Sequence, residues 1–176
     1  HGYTPAQMDM GFRGLIVNFP SLSRRSRRDD RSQEEINKGA RKTYEKLEEV
    51  FRRAEVYARI DSAERSGREP AGSEKESSLE YVPEIAAVVP AVRREMPVLI
   101  EVGRAGDIDS AIAWVARHHL RAIFTGVQEG WRVADKIAAA GIPCIVGPVL
   151  SMPTRGSDRY DKAYANAGLL RNAGVQ

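Results

Sequence analysis

Glu101 stands near the end of an otherwise apolar run, residues 97–102. A lone carboxylate in such a run is costly unless it is paired, hydrogen-bonded or bound to a metal. It reads either as an ion pair, with Arg104 or Arg121, or as a site residue. Gly103-Arg104-Ala105-Gly106 follows at once. Glycines at a strand-to-helix turn let backbone amides approach an anion, and Arg104 would add charge. The spacing is neither a Walker A loop nor a dinucleotide fingerprint, and a plain tight turn is the simpler reading. Gly126-Val127-Gln128-Glu129 is placed in the same way after the next apolar run.

The remaining reactive side chains have plainer readings. His118 and His119 are adjacent at a helix end, where neighbouring side chains diverge and chelate one metal poorly. They read as imidazoles set against the helix dipole. Thr125 and Ser151 have no base nearby in sequence. Cys144, the one cysteine, lies in an apolar run beside Pro143 and reads as an inert core thiol. It excludes an internal disulfide and cysteine-based zinc sites. Trp114 and Trp131 read as packing residues. Arg24, Arg25, Arg27, Arg28 and Arg31 could touch phosphate, but Asp29 and Asp30 interrupt them, so a solvated loop is the simpler reading.

These residues are positioned by a pattern that changes near residue 78. In residues 1–78, Leu15-Ile16-Val17-Asn18-Phe19 reads as a strand stopped by Pro20. Ser32 and Glu35 form a capping box that opens a helix to about Glu64. Its apolar stripe is Ile36, Ala40, Tyr44, Leu47, Phe51, Ala54 and Ala58. Residues 66–78 read as a linker. In residues 79–176 a helix over 79–94, interrupted at Pro90, leads into three strand–helix units. The strands are 97–102, 121–125 and 142–146. The helices are 107–118 with Asp107 as N-cap, 129–140 stopped by Gly141, and 160–173. Apolar runs of this kind suit strands buried on both faces.

Alternating strands and helices joined by short loops predict a parallel sheet. The fold class is therefore α/β, as an open doubly wound sheet or an arc of a (β/α)8 barrel. In both, function gathers at the C-terminal ends of the strands. The 176 residues carry a net charge of +3, which argues against a nucleic-acid binder. The apolar runs are too short to cross a bilayer, so no membrane partner is expected. The chain opens at His1 and closes on Gly174-Val175-Gln176, a helix stop that would feed a further strand, so a fragment of a longer protein is expected.

The runs 97–112, 120–137 and 141–153, with the tail 160–175, resemble the amidohydrolase superfamily, most closely the branch related to imidazolonepropionases. Residues 79–176 carry most of the resemblance, and 1–78 resemble a helical insertion. The resemblance implies an incomplete (β/α)8 TIM barrel with a long helical insertion. It implies a metal-dependent hydrolase acting on a C–N bond of a cyclic amide or peptide-like small molecule. A divalent metal, zinc first, would polarise the scissile carbonyl and activate water. The family's middle-strand histidines would fall at Glu101 and Gly126; glutamate can ligate a metal and glycine cannot. Glu101 is thus the one metal-ligand candidate, and no catalytic residue is named. Gly103, Arg104, Gly126 and Gln128 are expected to contact substrate. The alternative is a noncatalytic barrel segment, or a partner-binding module, that has lost the metal site and holds no cofactor. An arc of about three units falls short of the roughly 250 residues of a full barrel. The expected partner is therefore the remainder of the barrel or a second copy of the chain.

Overall fold

A computed structural model describes residues 13–22, 32–65 and 82–176. The arginine cluster, the 66–78 linker and the proposed division at residue 78 lie outside the described residues.

The chain runs β1 (Leu15–Asn18), α1 (Gln33–Arg65), α2 (Pro83–Ala86), α3 (Val89–Val92), β2 (Val98–Val102), α4 (Ala105–Arg117), β3 (Ala122–Gly126), α5 (Ala134–Ala140), β4 (Cys144–Val146) and α6 (Lys162–Asn172). A short 3-10 turn, Gly130–Arg132, precedes α5. All four strands are parallel, in the order β1-β2-β3-β4. Sequential order without reversal is a singly wound arrangement; a doubly wound sheet reverses at a switch point and carries helices on both faces.

Alternation along the strands decides which face is covered. Val17, Val98, Ile100, Val102, Ala122 and Phe124 point into the core against the helices. The opposite face carries Ile16, Asn18, Leu99, Glu101, Ile123, Thr125 and Ile145 in matching register. Ile16 is 71% exposed and Ile145 56%. The expectation of strands buried on both faces is therefore corrected: within the described residues the sheet is covered on one face only. Glu101 changes with it. Its side chain is exposed on the open face and, among the described residues, forms no ion pair with Arg104 or Arg121.

The Ser32 capping box forms as the sequence requires. Ser32 N–H donates to Glu35 Oε2 at 2.8 Å, and Glu35 N–H donates back to Ser32 Oγ at 3.2 Å. Helix α1 buries Ile36, Phe51 and Ala54, with Phe51 edge-on to Trp114 at 4.8 Å between centroids. His118 fastens the same contact. Its Nδ1 lies 2.7 Å from Glu55 and its Nε2 3.1 Å from Glu48, both on α1. Burial alone would raise the Glu48 carboxyl, but hydrogen bonds from Tyr44 and His118 hold it below the ordinary carboxylate range. His118 does stand at the C-cap of α4, as read from the sequence, and in addition anchors α1 through these two carboxylates.

The expected helix over 79–94 is two single turns, α2 and α3, because Pro83 and Pro90 each open a first turn where no amide donor is required. Asp107 does not cap α4. Arg104 occupies the N-cap position, and Asp107 sits one turn inside, accepting Ser21 Oγ at 2.5 Å and Leu22 N–H at 3.3 Å. It ties the loop after β1 to α4. Gly141, at φ +64°, closes α5 in the left-handed conformation expected of a helix stop.

Candidate functional site

The C-terminal ends of β1, β2 and β3 open onto a cleft of about 580 Å3. Its walls bring together all five residues singled out from the sequence: Glu101, Gly103, Arg104, Gly126 and Gln128. The Gln128 side chain crosses close over Gly103: a Cβ there would stand 2.9 Å from Gln128 Oε1, so any larger residue would have to turn Gln128 aside. Asn18, Glu101 and Thr125 stand side by side in the strand register and present three oxygen-bearing side chains to the open face.

Beneath the cleft lies a residue the sequence reading passed over. Glu129 is fully buried. Its carboxylate accepts the Ala105 N–H at 3.1 Å and two hydrogen bonds from Arg155, at 2.9 and 2.7 Å, with Arg104 at 3.6 Å. Burial alone would raise this carboxyl; the Arg155 hydrogen bonds, the Ala105 amide, the Arg155 charge and a hydrogen bond from Thr154 together hold it below the usual range. The anion that the Gly103–Gly106 turn could have held is the protein's own. Glu129 fills the first amide of α4, and an external phosphate there would have to displace it. The same carboxylate fastens the β4–α6 loop through Arg155.

The turn after β3 is held in an uncommon conformation. Gly126 has φ +87° and Val127 φ +40°, the latter rare for a β-branched residue. Asn166, buried on α6, fixes it: its Nδ2 donates to Val127 O at 2.9 Å, and its Oδ1 accepts the Trp131 N–H at 2.9 Å. The sequence signals were present but weak: an acid two residues beyond a strand-end turn, and an amide flanked by Ala165 and Ala167 in α6.

Cys144 is half-buried, its thiol pushed up to about 11 by burial and donating weakly to Ile142 O at 3.9 Å, which fits an inert thiol. Among the described residues no three His, Cys, Asp or Glu side chains converge as a metal site. The strand ends supply one carboxylate, an amide and a hydroxyl, and zinc prefers imidazole and thiolate donors. The residues present do not by themselves fit the metal centre that the resemblance implies.

No family model matches the sequence, and no curated protein matches it. A solved structure does. The chain shares its fold with an amidohydrolase from Thermotoga maritima. The TM-score is 0.63 at 20% identity, over 92% of this chain and 39% of that one. At that identity the likeness shows the fold alone. The likeness supports the α/β architecture of parallel strands packed on helices, and the chain spans well under half the length of its structural neighbour.

Proposed function

We propose that this chain is an arc of an amidohydrolase-like (β/α)8 barrel whose mouth takes part in hydrolysing a C–N bond of a cyclic amide or peptide-like small molecule. The observation that carries the reading is the gathering of Glu101, Gly103, Arg104, Gly126 and Gln128 in one cleft at the C-terminal ends of sequentially ordered parallel strands. The chain contributes substrate contacts through Arg104 and Gln128, with Gly103 and Gly126 allowing close approach. Metal dependence belongs to this proposal. Glu101 is the ligand candidate the described residues offer, so the other donors would have to lie outside them. Kinship with the imidazolonepropionase branch also belongs here and rests on sequence resemblance.

The sheet face left uncovered among the described residues supports a larger closed sheet. So does the edge of β4, where the Cys144 N–H donates to Gln176 O at 2.8 Å. Gln176 stands to β4 as Pro143 stands to β3 and Arg121 to β2. The remainder of a barrel is the partner this arrangement favours, with a second copy of the chain as the other way to cover the face.

A noncatalytic barrel segment is the second reading, favoured by the single carboxylate at the strand ends. Metal analysis of the full-length protein, with hydrolysis assayed on lactams and dipeptides, separates the two. The proposal expects bound divalent metal, turnover, and lower metal content in Glu101→Gln. A metal-free protein inactive on the whole panel, with or without added zinc, refutes it and leaves the second reading.

A further inference from the structure

The contact between α1 and α4 closes on one titratable ring. The His118 side chain is 7% exposed. It lies between Phe51 of α1 and Trp114 of its own helix, with ring centroids 5.7 and 5.2 Å away. Both of its nitrogens meet carboxylates of α1: Nδ1 is 2.7 Å from Glu55 Oε1, and Nε2 is 3.1 Å from Glu48 Oε2. The other Glu48 oxygen accepts Arg117 at 2.6 Å, and the same guanidinium donates to the Tyr44 hydroxyl at 3.0 Å. Arg59 follows Glu55 one turn along α1. Beyond it Asp61 is held by Arg93, from the end of α3. His119, the next residue, is exposed at φ +51°.

This geometry sets a requirement on protons. An ionised carboxylate only accepts, so both contacts close only if each ring nitrogen donates. Imidazolium has two N–H groups; neutral imidazole has one, and turns a lone pair toward the other carboxylate. Burial alone would raise the Glu48 carboxyl, but its hydrogen bonds from Tyr44 and His118 hold it low, so it stays an acceptor across the range in which imidazoles change charge, about pH 5 to 8. We propose that His118 is a proton-operated clasp: doubly protonated, it fastens α1 to α4 through Glu48 and Glu55, and loss of one proton opens one of the two contacts and loosens α1. The direction is fixed by the donors. Attachment is tighter in mild acid and weaker in mild base. Phe51 against Trp114 and the Arg117–Glu48 pair persist in both states, so α1 loosens rather than departs. The clasp is independent of the hydrolase reading.

The full chain, labelled with nitrogen-15, is taken from pH 5.5 to pH 8.5. The imidazole nitrogens are followed by NMR, and amide protection is measured along α1 and corrected for the intrinsic effect of pH on exchange. At pH 5.5 both His118 nitrogens should carry a proton. Protection over residues 48–58 should be about tenfold higher at pH 5.5 than at pH 8.5, as fits loss of a hydrogen bond between charged groups. Strands β2 and β3 should show no such step. His118→Phe keeps the ring but removes the clasp, so protection in α1 should be low at both ends and without a step. Glu55→Gln removes one countercharge of the imidazolium, so its step should fall at lower pH than in the parent. A His118 ring with only one protonated nitrogen at pH 5.5 overturns the proposal. So does a change in α1 protection no larger in the parent than in His118→Phe. Should His118→Phe fail to fold, Glu55→Gln decides alone, and an unmoved step refutes the clasp.

Discussion

Replacing Glu129 tests the electrostatic joint under the cleft. Glu129→Ala leaves Arg155 without its two hydrogen bonds, Arg104 without its nearest carboxylate, and the first amide of α4 uncapped. Breaking a buried ion pair by removing one partner costs about 3–5 kcal/mol. The Arg155 side chain is 46% exposed and can turn to water, which places the expected loss near the lower end, about 3 kcal/mol. For a chain of this size that corresponds to about 6–12 °C in Tm. Glu129→Gln keeps an acceptor for the Ala105 amide but loses the charge, and should cost roughly half as much, since charge-assisted bonds are about twice as strong as neutral ones. The acid limb supplies a second signature. Because the folded carboxyl is held below its ordinary value, its contribution is complete above about pH 4.5 and is lost as pH falls through the lowered value. Urea unfolding from pH 7 down to pH 3 should show a shallower loss of stability in Glu129→Gln than in the parent, with the slope from Glu48 remaining in both. A Glu129→Ala protein within about 0.5 kcal/mol of the parent, with an unchanged acid limb, would refute the reasoning.

Other outcomes follow from the same contacts. His118→Phe keeps ring packing against Phe51 and Trp114 but strips Glu48 and Glu55 of their shared partner; a loss of about 1–2 kcal/mol is expected, with faster amide exchange confined to α1, and uniform exchange across the sheet would contradict it. Asn166→Ala should cost about 2 kcal/mol, because Val127 O and the Trp131 amide lose a buried partner; an unchanged denaturation midpoint would show that the Val127 turn holds itself. Cys144 should resist iodoacetamide at pH 8 in the folded protein and react fully in urea, since burial keeps the thiol protonated up to about pH 11; rapid native labelling would count against that.

Much of the architecture was legible from local pattern. The capping box at Ser32, the glycine stop at Gly141 and the apolar stripe of α1 are short-range devices, and each appears where the residues require it. The five candidate site residues lie at or just past strand ends, and parallel strands in sequential order bring such ends together at one mouth. The misreadings share one origin. A run such as Val98-Leu99-Ile100-Glu101-Val102 looks the same whether one face or both are covered, so Glu101 could not be read as exposed. Asp107 looked like an N-cap because Asp suits that position, yet the helix begins three residues earlier with Arg104 as its cap and the Glu129 carboxylate on its first amide.

By itself the sequence determined the order of strands and helices, their caps and stops, and the end of the sheet at which the polar residues collect, because each of these follows from near neighbours along the chain. The tertiary structure alone decided that one sheet face is uncovered among the described residues, that Glu129 meets the first amide of α4, that His118 bridges two carboxylates of α1, and that Asn166 holds the turn at Val127. Those contacts join residues distant in sequence, and both the energy of a buried charge and the availability of an exposed one depend on which of them meet.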